Sequence, residues 1–501
     1  MTLYIIAIGG TGARCVEAVT QCAAAGLFTT EPIKIVFVDA DESNGNLSRT
    51  SETIKTYQEC YELTKNNTQI SWMQTPIELL SFWSPFSNST NKTLGSFLNY
   101  NSYKNNNPAL GHLFDVLYTK EEREAPLDVG FRGRPAIGSA IISQVNFDET
   151  EQEPWATLIK LIRADLGTGK SVNIFLCGSI FGGTGASGFP TIGRLLVNKL
   201  SRLEGRDRLK IGGLLMLPYF AFLVPNEQDN NGIYARADQF LLNTESALRY
   251  YVNEAQNTFD AVYMLGNQNP TNVRFSVGKN SQCNEPHFIE LYAALAAKHF
   301  LLNSATGESG KVILIGRSSP GRITWKDLPD SEEVKQKLVN TTRFAFAWMA
   351  NLVPELAYAS KVGVKGFQKQ APWFSSFFRP VQGLFGMIGS REMQSLPEFN
   401  DATEQAAIET IKKWCNSYLR WLNKLHFSGD NIELFRPEMF TGGEGKLGTE
   451  NFAGLVFEDS RDKDKRSQDT IQVLKEKLDA KTLGQAGTVG LAKSLYMQCK
   501  P

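Results

Sequence analysis

Two runs of glycine and hydroxyl residues stand where an apolar, β-branched stretch gives way to a helical pattern. The first is Gly9-Gly10-Thr11-Gly12, after Leu3–Ile8. The second is Gly182-Gly183-Thr184-Gly185-Ala186-Ser187-Gly188, after Ser171–Cys177. Glycine lets backbone amides approach an anion closely, and a helix N-terminus adds a favourable dipole, so phosphate binding is the chemistry such turns offer. Plain strand-to-helix packing is the alternative, and it stays open for the first run taken alone. A P-loop ends in Gly-Lys-Ser/Thr; neither run carries a lysine, so neither is a Walker motif.

Other polar groups fall near strand ends and turns. Asp39 and Asp41 stand at the end of the stretch Ile33–Asp39 and suit a ribose hydroxyl or metal-bound water, or the capping of a loop amide. Arg132 and Arg134, in Gly130-Phe131-Arg132-Gly133-Arg134-Pro135, have the forked donors that pair with a γ-phosphate; ordinary surface arginines are the competing reading. Asn267 offers an amide to a purine edge or ribose, or forms an Asn turn.

Positioning these groups requires a layered scaffold. Leu3–Ile8, Ile33–Asp39, Ser171–Cys177, Lys210–Leu217 and Asp260–Leu265 read as short buried strands, each followed by glycine, proline or acid. Helical patterns cover Ala13–Ala25, Trp155–Leu166, Tyr234–Tyr251 and the apolar Glu285–Leu302, with a further helix opened by Pro190 and running to Leu203. Alternation of the two predicts βαβ units around a parallel sheet. The Asn- and Ser-rich stretch 84–108 reads as an insertion or long surface loop. From Ser331 onward the pattern turns helical, over Ser331–Val353, Asp401–Leu425, Arg466–Leu478 and Thr488–Gln498, with connectors at Ala371–Leu396 and Arg436–Gly454. The expected division is a nucleotide-binding domain over 1–305 and a mostly helical domain over 306–501.

Composition narrows the function classes. With 501 residues, 52 basic and 52 acidic side chains, the chain has no global field for a polyanion, which disfavours nucleic acid as the partner. Seven cysteines without a CxxC pair fit a reducing, cytoplasmic compartment, and four histidines make a His-rich metal site a poor expectation. The start, Met1–Ile6, lacks a basic n-region and reads as a strand rather than a signal peptide. The longest apolar run, Ile211–Pro225, is shorter than the roughly 20 residues of a membrane span.

The stretch Gly182–Gly188 resembles the GGGTGTG signature of the tubulin and FtsZ family of GTPases. In the same order, Gly9–Gly12 is similar to that family's first phosphate loop, Val38–Asp41 to the acid-bearing end of its second strand, and Gly130–Gly138 to its γ-phosphate loop. Leu217–Phe220 resembles a proline-aromatic turn, Leu265-Gly266-Asn267 a ribose- or base-contacting asparagine, and Glu285–Leu302 the long central helix. The order covers about residues 3–330. It implies a tubulin/FtsZ-like Rossmann-type fold that binds GTP or GDP with Mg²⁺, closest to divergent prokaryotic, bacterial tubulin-like proteins.

The same resemblance suggests that Asn284 and Glu290 meet guanine N1 and N2, against a helix-cap Asn and a solvated Glu. His287 is a candidate for base stacking, with a satisfied helix-end histidine as the rival reading. Asp327 and Asp330, in Thr324-Trp325-Lys326-Asp327-Leu328-Pro329-Asp330, are similar to the acids that complete hydrolysis in a neighbouring subunit, although Trp325 replaces the family's asparagine. The implied function is a GTPase completed by self-association into filaments or oligomers. A non-polymerising nucleotide-gated scaffold, recruiting a protein partner through the helical C-terminal region, is the second expectation. An NAD-dependent oxidoreductase is the third; Gly10-Thr11-Gly12 departs from GxGxxG spacing.

Overall fold

The computed structural model describes residues 1–28, 31–65, 70–87, 92–145, 147, 153–222, 238–254, 258–274, 276, 278–303, 310–314, 321–380, 395–429, 432–436, 452–459 and 461–500. By contacts the chain divides into two compact units. One comprises Met1–Val19, Glu31–Ile54 and Ile77–Ser318; the other Thr20–Thr30, Lys55–Pro76 and Ser319–Pro501. Two early segments thus fall with the second unit, a division no linear change of composition marks.

The first unit is built on a seven-stranded parallel sheet. Its strands are β1 (Thr2–Ile8), β2 (Ile33–Val38), β3 (Ile77–Trp83), β4 (Val172–Ser179), β5 (Leu209–Met216), β6 (Ala261–Leu265) and β7 (Lys311–Leu314). They lie in the order β3-β2-β1-β4-β5-β6-β7. Every residue of β1 and β4 is buried, as both faces of a central parallel strand must be. The five sequence-expected strands are present; β3 and β7 were not expected. Both are edge strands: β7 opens on Lys311 and leaves Val312 and Leu314 largely exposed, and β3 has Glu78 and Ser81 within it, so neither shows a long buried apolar run.

Helices α1 (Gly9–Ala24), α2 (Gly45–Thr64), α3 (Pro135–Ile142), α4 (Trp155–Gly167), α5 (Gly183–Leu200), α6 (Asp238–Glu254) and α7 (Phe288–Asn303) accompany the sheet. Helix α5 corrects one expectation: it begins at Gly183, and Pro190 lies inside it rather than at its start. Tertiary packing overrides propensity here, because only small residues let the first turns lie this close to the sheet. A Cβ on Gly185 would stand 2.6 Å from the Ser179 amide nitrogen, and one on Gly188 2.7 Å from Ile8 Cγ2. Residues 234–237 of the expected Tyr234–Tyr251 helix lie outside the described residues, as do 381–394 and 437–451 of the two expected connectors.

The stretch 84–108 is partly helical instead of a loop. Described residues form helices at Leu94–Phe97, Tyr100–Asn106 and Pro108–Leu117, started by the side chains of Thr93 and, for the last, Asn107. Residues 88–91 lie outside the described residues.

The second unit is helical. Ser331–Ala347 runs through a π turn, Trp348–Leu352, into Val353–Val362, and Ala402–His426 and Gly487–Gln498 follow. The expected Arg466–Leu478 helix is two short ones, Lys463–Ser467 and Ile471–Glu476, because Thr470 caps the second by accepting from the Val473 amide. Trp72 anchors this core, with its ring centroid 4.5 Å from Phe344, 5.5 Å from Trp414 and 5.9 Å from Tyr496. No described helix is long and apolar enough to cross a membrane.

Candidate functional site

Strand order reverses between β1 and β4, and the carboxyl ends of parallel strands at such a point open a crevice. Both glycine runs emerge there. Helix α1 starts at Gly9, directly after β1, and α5 starts at Gly183, with Gly182 as its N-cap. Gly9 takes φ +73°, a left-handed turn that folds the chain straight from strand into helix. The first four amides of a helix have no partner within it, so two sets of donors face one cleft.

The cleft has about 950 Å³ of empty space, counting its open side. Gly9, Gly10, Thr11, Gly182, Gly183, Thr184 and Gly185 line it. Gly12, Ala186, Ser187 and Gly188 do not: Gly12 is pressed against the sheet, where a Cβ would meet the Cys177 carbonyl at 2.6 Å, and Ser187 Oγ donates to the Gly183 carbonyl at 2.7 Å.

Asp39 and Asp41 complete the anionic side of the rim. Asp39 accepts from the Asp41 amide at 3.2 Å, Asn44 Nδ2 at 3.3 Å and Thr184 Oγ1 at 3.3 Å. Burial pushes its carboxyl up to about 7, against those hydrogen bonds, which favour the charged form. Asp41 accepts from the Ser43 amide at 3.0 Å and the Lys279 amide at 2.5 Å, and burial raises it too.

The arginines separate. Arg132 lines the cleft at φ +51°, its Nε donating to the Pro126 carbonyl at 3.2 Å. Arg134 is absent from the lining and its guanidinium lies 2.9 Å from Glu122. Asn267 is likewise outside the lining, in the Asn turn weighed as its alternative, with Nδ2 donating to the Asn269 carbonyl at 2.9 Å.

Asn284 lines the cleft, its amide donating to Asn46 Oδ1 at 2.9 Å. Glu290 does not. It is 1% exposed and spends both oxygens inside the protein: Oε1 lies 2.7 Å from Arg14 Nη2 and 3.0 Å from Tyr219 Oη, and Oε2 accepts from the His287 amide at 3.0 Å. His287 is the satisfied helix-end histidine. Burial drives it down to about 3, so the ring is neutral; Nδ1 accepts from the Ile289 amide at 3.2 Å, which leaves Nε2 to donate to Thr271 Oγ1 at 3.0 Å.

Asp327 and Asp330 belong to the second unit. Asp327 accepts from the Thr324 amide at 2.7 Å and its hydroxyl at 3.0 Å, a capping box on the turn Trp325–Asp327. Asp330 takes φ +50° at the N-cap of Ser331–Ala347.

Several lining residues, Asn44, Asn46, Gln282 and Phe240 among them, were not singled out in the sequence. Asn44, Asn46 and Gln282 form a wall of amides, while Phe181, Phe220 and Phe240 form an aromatic side with Phe181 centroids 5.3 Å from Phe220 and 4.8 Å from Phe240. Asn243, on α6, ties two loops together by donating to the carbonyls of Gly133 at 3.2 Å and Phe181 at 3.3 Å. Only a fold brings these together; the pattern Asn44-Gly45-Asn46 after a strand-end acid was the one local cue.

The donor set fits a polyphosphate with a divalent cation. Amides and hydroxyls face anionic oxygens, and Asp39 and Asp41 suit the water shell of Mg²⁺, which binds through one or two carboxylates plus phosphate. Among the described residues no group of three or more His, Cys, Asp or Glu forms a protein-only metal cage.

Residues 139–313, which include β4, the second glycine run and α7, match the family model described as tubulin like. That segment is similar to the tubulin-like family. Among solved structures, CetZ from Methanosaeta thermophila strain DSM 6194 is similar at 13% identity and TM-score 0.25, over 60% of this chain and 53% of that one. The GTPγS-form protofilament of Bacillus thuringiensis serovar israelensis TubZ is similar at 12% identity and TM-score 0.29, over 83% of this chain and 81% of that one. The chain thus spans about half the length of the CetZ chain. Likenesses this weak carry no functional weight. No curated protein matches the sequence. The tubulin-like segment holds the second glycine run and the strand before it, while the first run, Asp39 and Asp41 lie N-terminal to the match.

Proposed function

We propose that this protein binds GTP or GDP with Mg²⁺ in the cleft between α1 and α5, and hydrolyses GTP when copies of the chain associate. The observation that carries the reading is the convergence of two glycine-headed helix N-termini at the reversal of strand order, with Asp39 hydrogen-bonded to Thr184 at the start of the second. The tubulin-like match over 139–313 supports it, since members of that family are GTP-binding filament formers. Gly9–Thr11 and Gly182–Gly185 would hold phosphate oxygens, and Asp39 and Asp41 the cation's waters. Arg132 would stabilise charge on the terminal phosphate.

Asp327 or Asp330 of one copy would act on the nucleotide of another, so that neither copy alone holds every part. A cytoplasmic, bacterial setting belongs to the same reading. The test is twofold. Nucleotide released on denaturation, or equilibrium dialysis against GTP, ATP and NAD, should identify GTP. The GTPase rate should then rise more than linearly with protein concentration and be lost in Asp327→Ala; a linear rate untouched by that change rejects the shared site.

A cleft in the second unit favours the scaffold reading as the alternative. Tyr358, Phe367, Trp373, Lys475 and Lys477 line it, aromatic and charged side chains suited to a protein partner. Electron microscopy with GTP separates the two: filaments support the first, and discrete small species the second.

A further inference from the structure

The start of α2 and the segment before α7 are stitched together along one wall of the cleft. The Asn46 amide donates to the Gln282 carbonyl at 3.2 Å, the Lys279 amide to Asp41 Oδ2 at 2.5 Å, and the Asn284 amide to Asn46 Oδ1 at 2.9 Å. A backbone N–H can only donate, so the Asn284 bond fixes which end of the Asn46 carboxamide is oxygen, and its NH2 group points the other way. Asn44 is oriented in the same manner: its Oδ1 accepts from the Asn46 amide at 2.9 Å, and its Nδ2 turns to Asp39 Oδ2 at 3.3 Å and Gln282 Oε1 at 3.5 Å. Asn44 thus spends its donors within the protein, and Asn46 does not. Asn46 is 2% exposed and lines the cleft, and its Nδ2 has no hydrogen-bond partner among the described residues, yet is not sealed from solvent. A Cβ on Gly10, in the turn that opens α1, would stand 3.0 Å from that nitrogen.

We infer that Asn46 Nδ2 donates to a phosphate oxygen of the bound nucleotide, beside the amides of the Gly9–Thr11 turn. This deepens the nucleotide reading above and rests on it. A Cβ lies about 2.5 Å from its own amide nitrogen, so Gly10 N and Asn46 Nδ2 are at most about 5.5 Å apart. One oxygen can therefore accept from both at about 2.9 Å. The acceptors that amides at the start of a helix are placed to receive are anionic oxygens, and a hydrogen bond to a charged acceptor is stronger than one between neutral groups. Because Asn284 holds the oxygen end of the carboxamide, little side-chain freedom is lost when the nitrogen end is taken up.

Equilibrium binding of GTP with Mg²⁺ to the full chain, as the natural sequence, Asn46→Ala and Asn46→Asp, tests this. Asp keeps an oxygen for the Asn284 amide and sets negative charge where the NH2 group stands, so it opposes a phosphate neighbour above all others. GTP should bind about tenfold or more weakly to Asn46→Ala, the size of one lost hydrogen bond to a charged acceptor. Asn46→Asp should lose at least about tenfold again, and that second gap should narrow in high salt. A ribose hydroxyl can donate to Asp, so Asp binding as well as Ala, or better, overturns the assignment; so does Ala binding like the natural sequence. Urea unfolding without nucleotide shows that each variant folds. If Asn46→Ala does not, Asn46→Asp decides alone: a loss of about 100-fold that shrinks in salt supports the contact, and a smaller or salt-independent loss overturns it. If the natural sequence binds GTP but this order fails, only this inference falls. If it binds neither GTP nor ATP, the nucleotide reading falls with it.

Discussion

Thr184 Oγ1 donates to Asp39 Oδ1 at 3.3 Å, joining the start of α5 to the end of β2 across the mouth of the cleft. The carboxylate in that bond is buried, with its pKa raised to about 7. A raised acid pKa means the folded state binds the proton more tightly than the unfolded chain does. The stabilisation is therefore complete below about pH 4 and is lost as pH rises through about 7, at about 1.4 kcal/mol per pH unit, a few kcal/mol in all. Asp41, raised in the same direction, adds to the trend. Urea unfolding of nucleotide-free protein between pH 4.5 and 8, about the span in which Asp39 titrates, should show this fall relative to Asp39→Asn. Parallel profiles for the two proteins would show that Asp39 does not titrate there.

The pair Arg14–Glu290 is buried on both sides, at 3% and 1% exposure. Glu290→Gln leaves the guanidinium without a counter-charge in the interior. Such a loss costs about 3–5 kcal/mol, read as a lower urea midpoint at unchanged slope. A change below about 1 kcal/mol would mean that water reaches Arg14 freely.

Gly185→Ala and Gly167→Ala should differ in sign. A Cβ at Gly185 lies 2.6 Å from the Ser179 amide nitrogen, and backbone cannot yield there without lifting α5 off β4. The cost is about 1–3 kcal/mol or more, with weaker nucleotide binding. Gly167, at the end of α4, has nothing within 4 Å of the same atom, so alanine there should be neutral or stabilising by up to about 1 kcal/mol. Thermal unfolding of the two variants side by side checks both.

Asp327→Ala has a structural cost of its own, since its carboxylate caps the Thr324 turn. About 0.5–2 kcal/mol of stability should go with the cap, independently of any part in hydrolysis. Asp327→Asn retains an acceptor for Thr324 and removes the charge, so it isolates the chemical role. A GTPase rate lost in Asn as well as Ala supports catalysis; loss in Ala alone attributes the effect to the fold.

Trp72→Ala removes the ring around which Phe344, Trp414 and Tyr496 gather. A fully buried tryptophan truncated in this way costs about 3–5 kcal/mol. The loss should appear as earlier unfolding of the second unit, followed by tryptophan fluorescence.

Local chemistry alone determined the central strands, the two glycine turns and the helical character of the C-terminal region. Each depends on a short run: β-branched residues fill a doubly covered strand, and glycine suits a close turn wherever it stands. Asp39 was legible for the same reason, as an acid at a strand end. What tertiary structure decided was which polar groups share a space. Glu290, placed by sequence at the base, is consumed by Arg14, Tyr219 and its own helix start, while Arg14, an unremarked residue in a helix, opens onto the cleft. Arg132 and Arg134 differ by two positions, yet one lines the cleft and the other turns to Glu122. A residue's type fixes what it can bond; the partner it finds depends on chain segments brought near it by folding, and no spacing along one strand or helix encodes that.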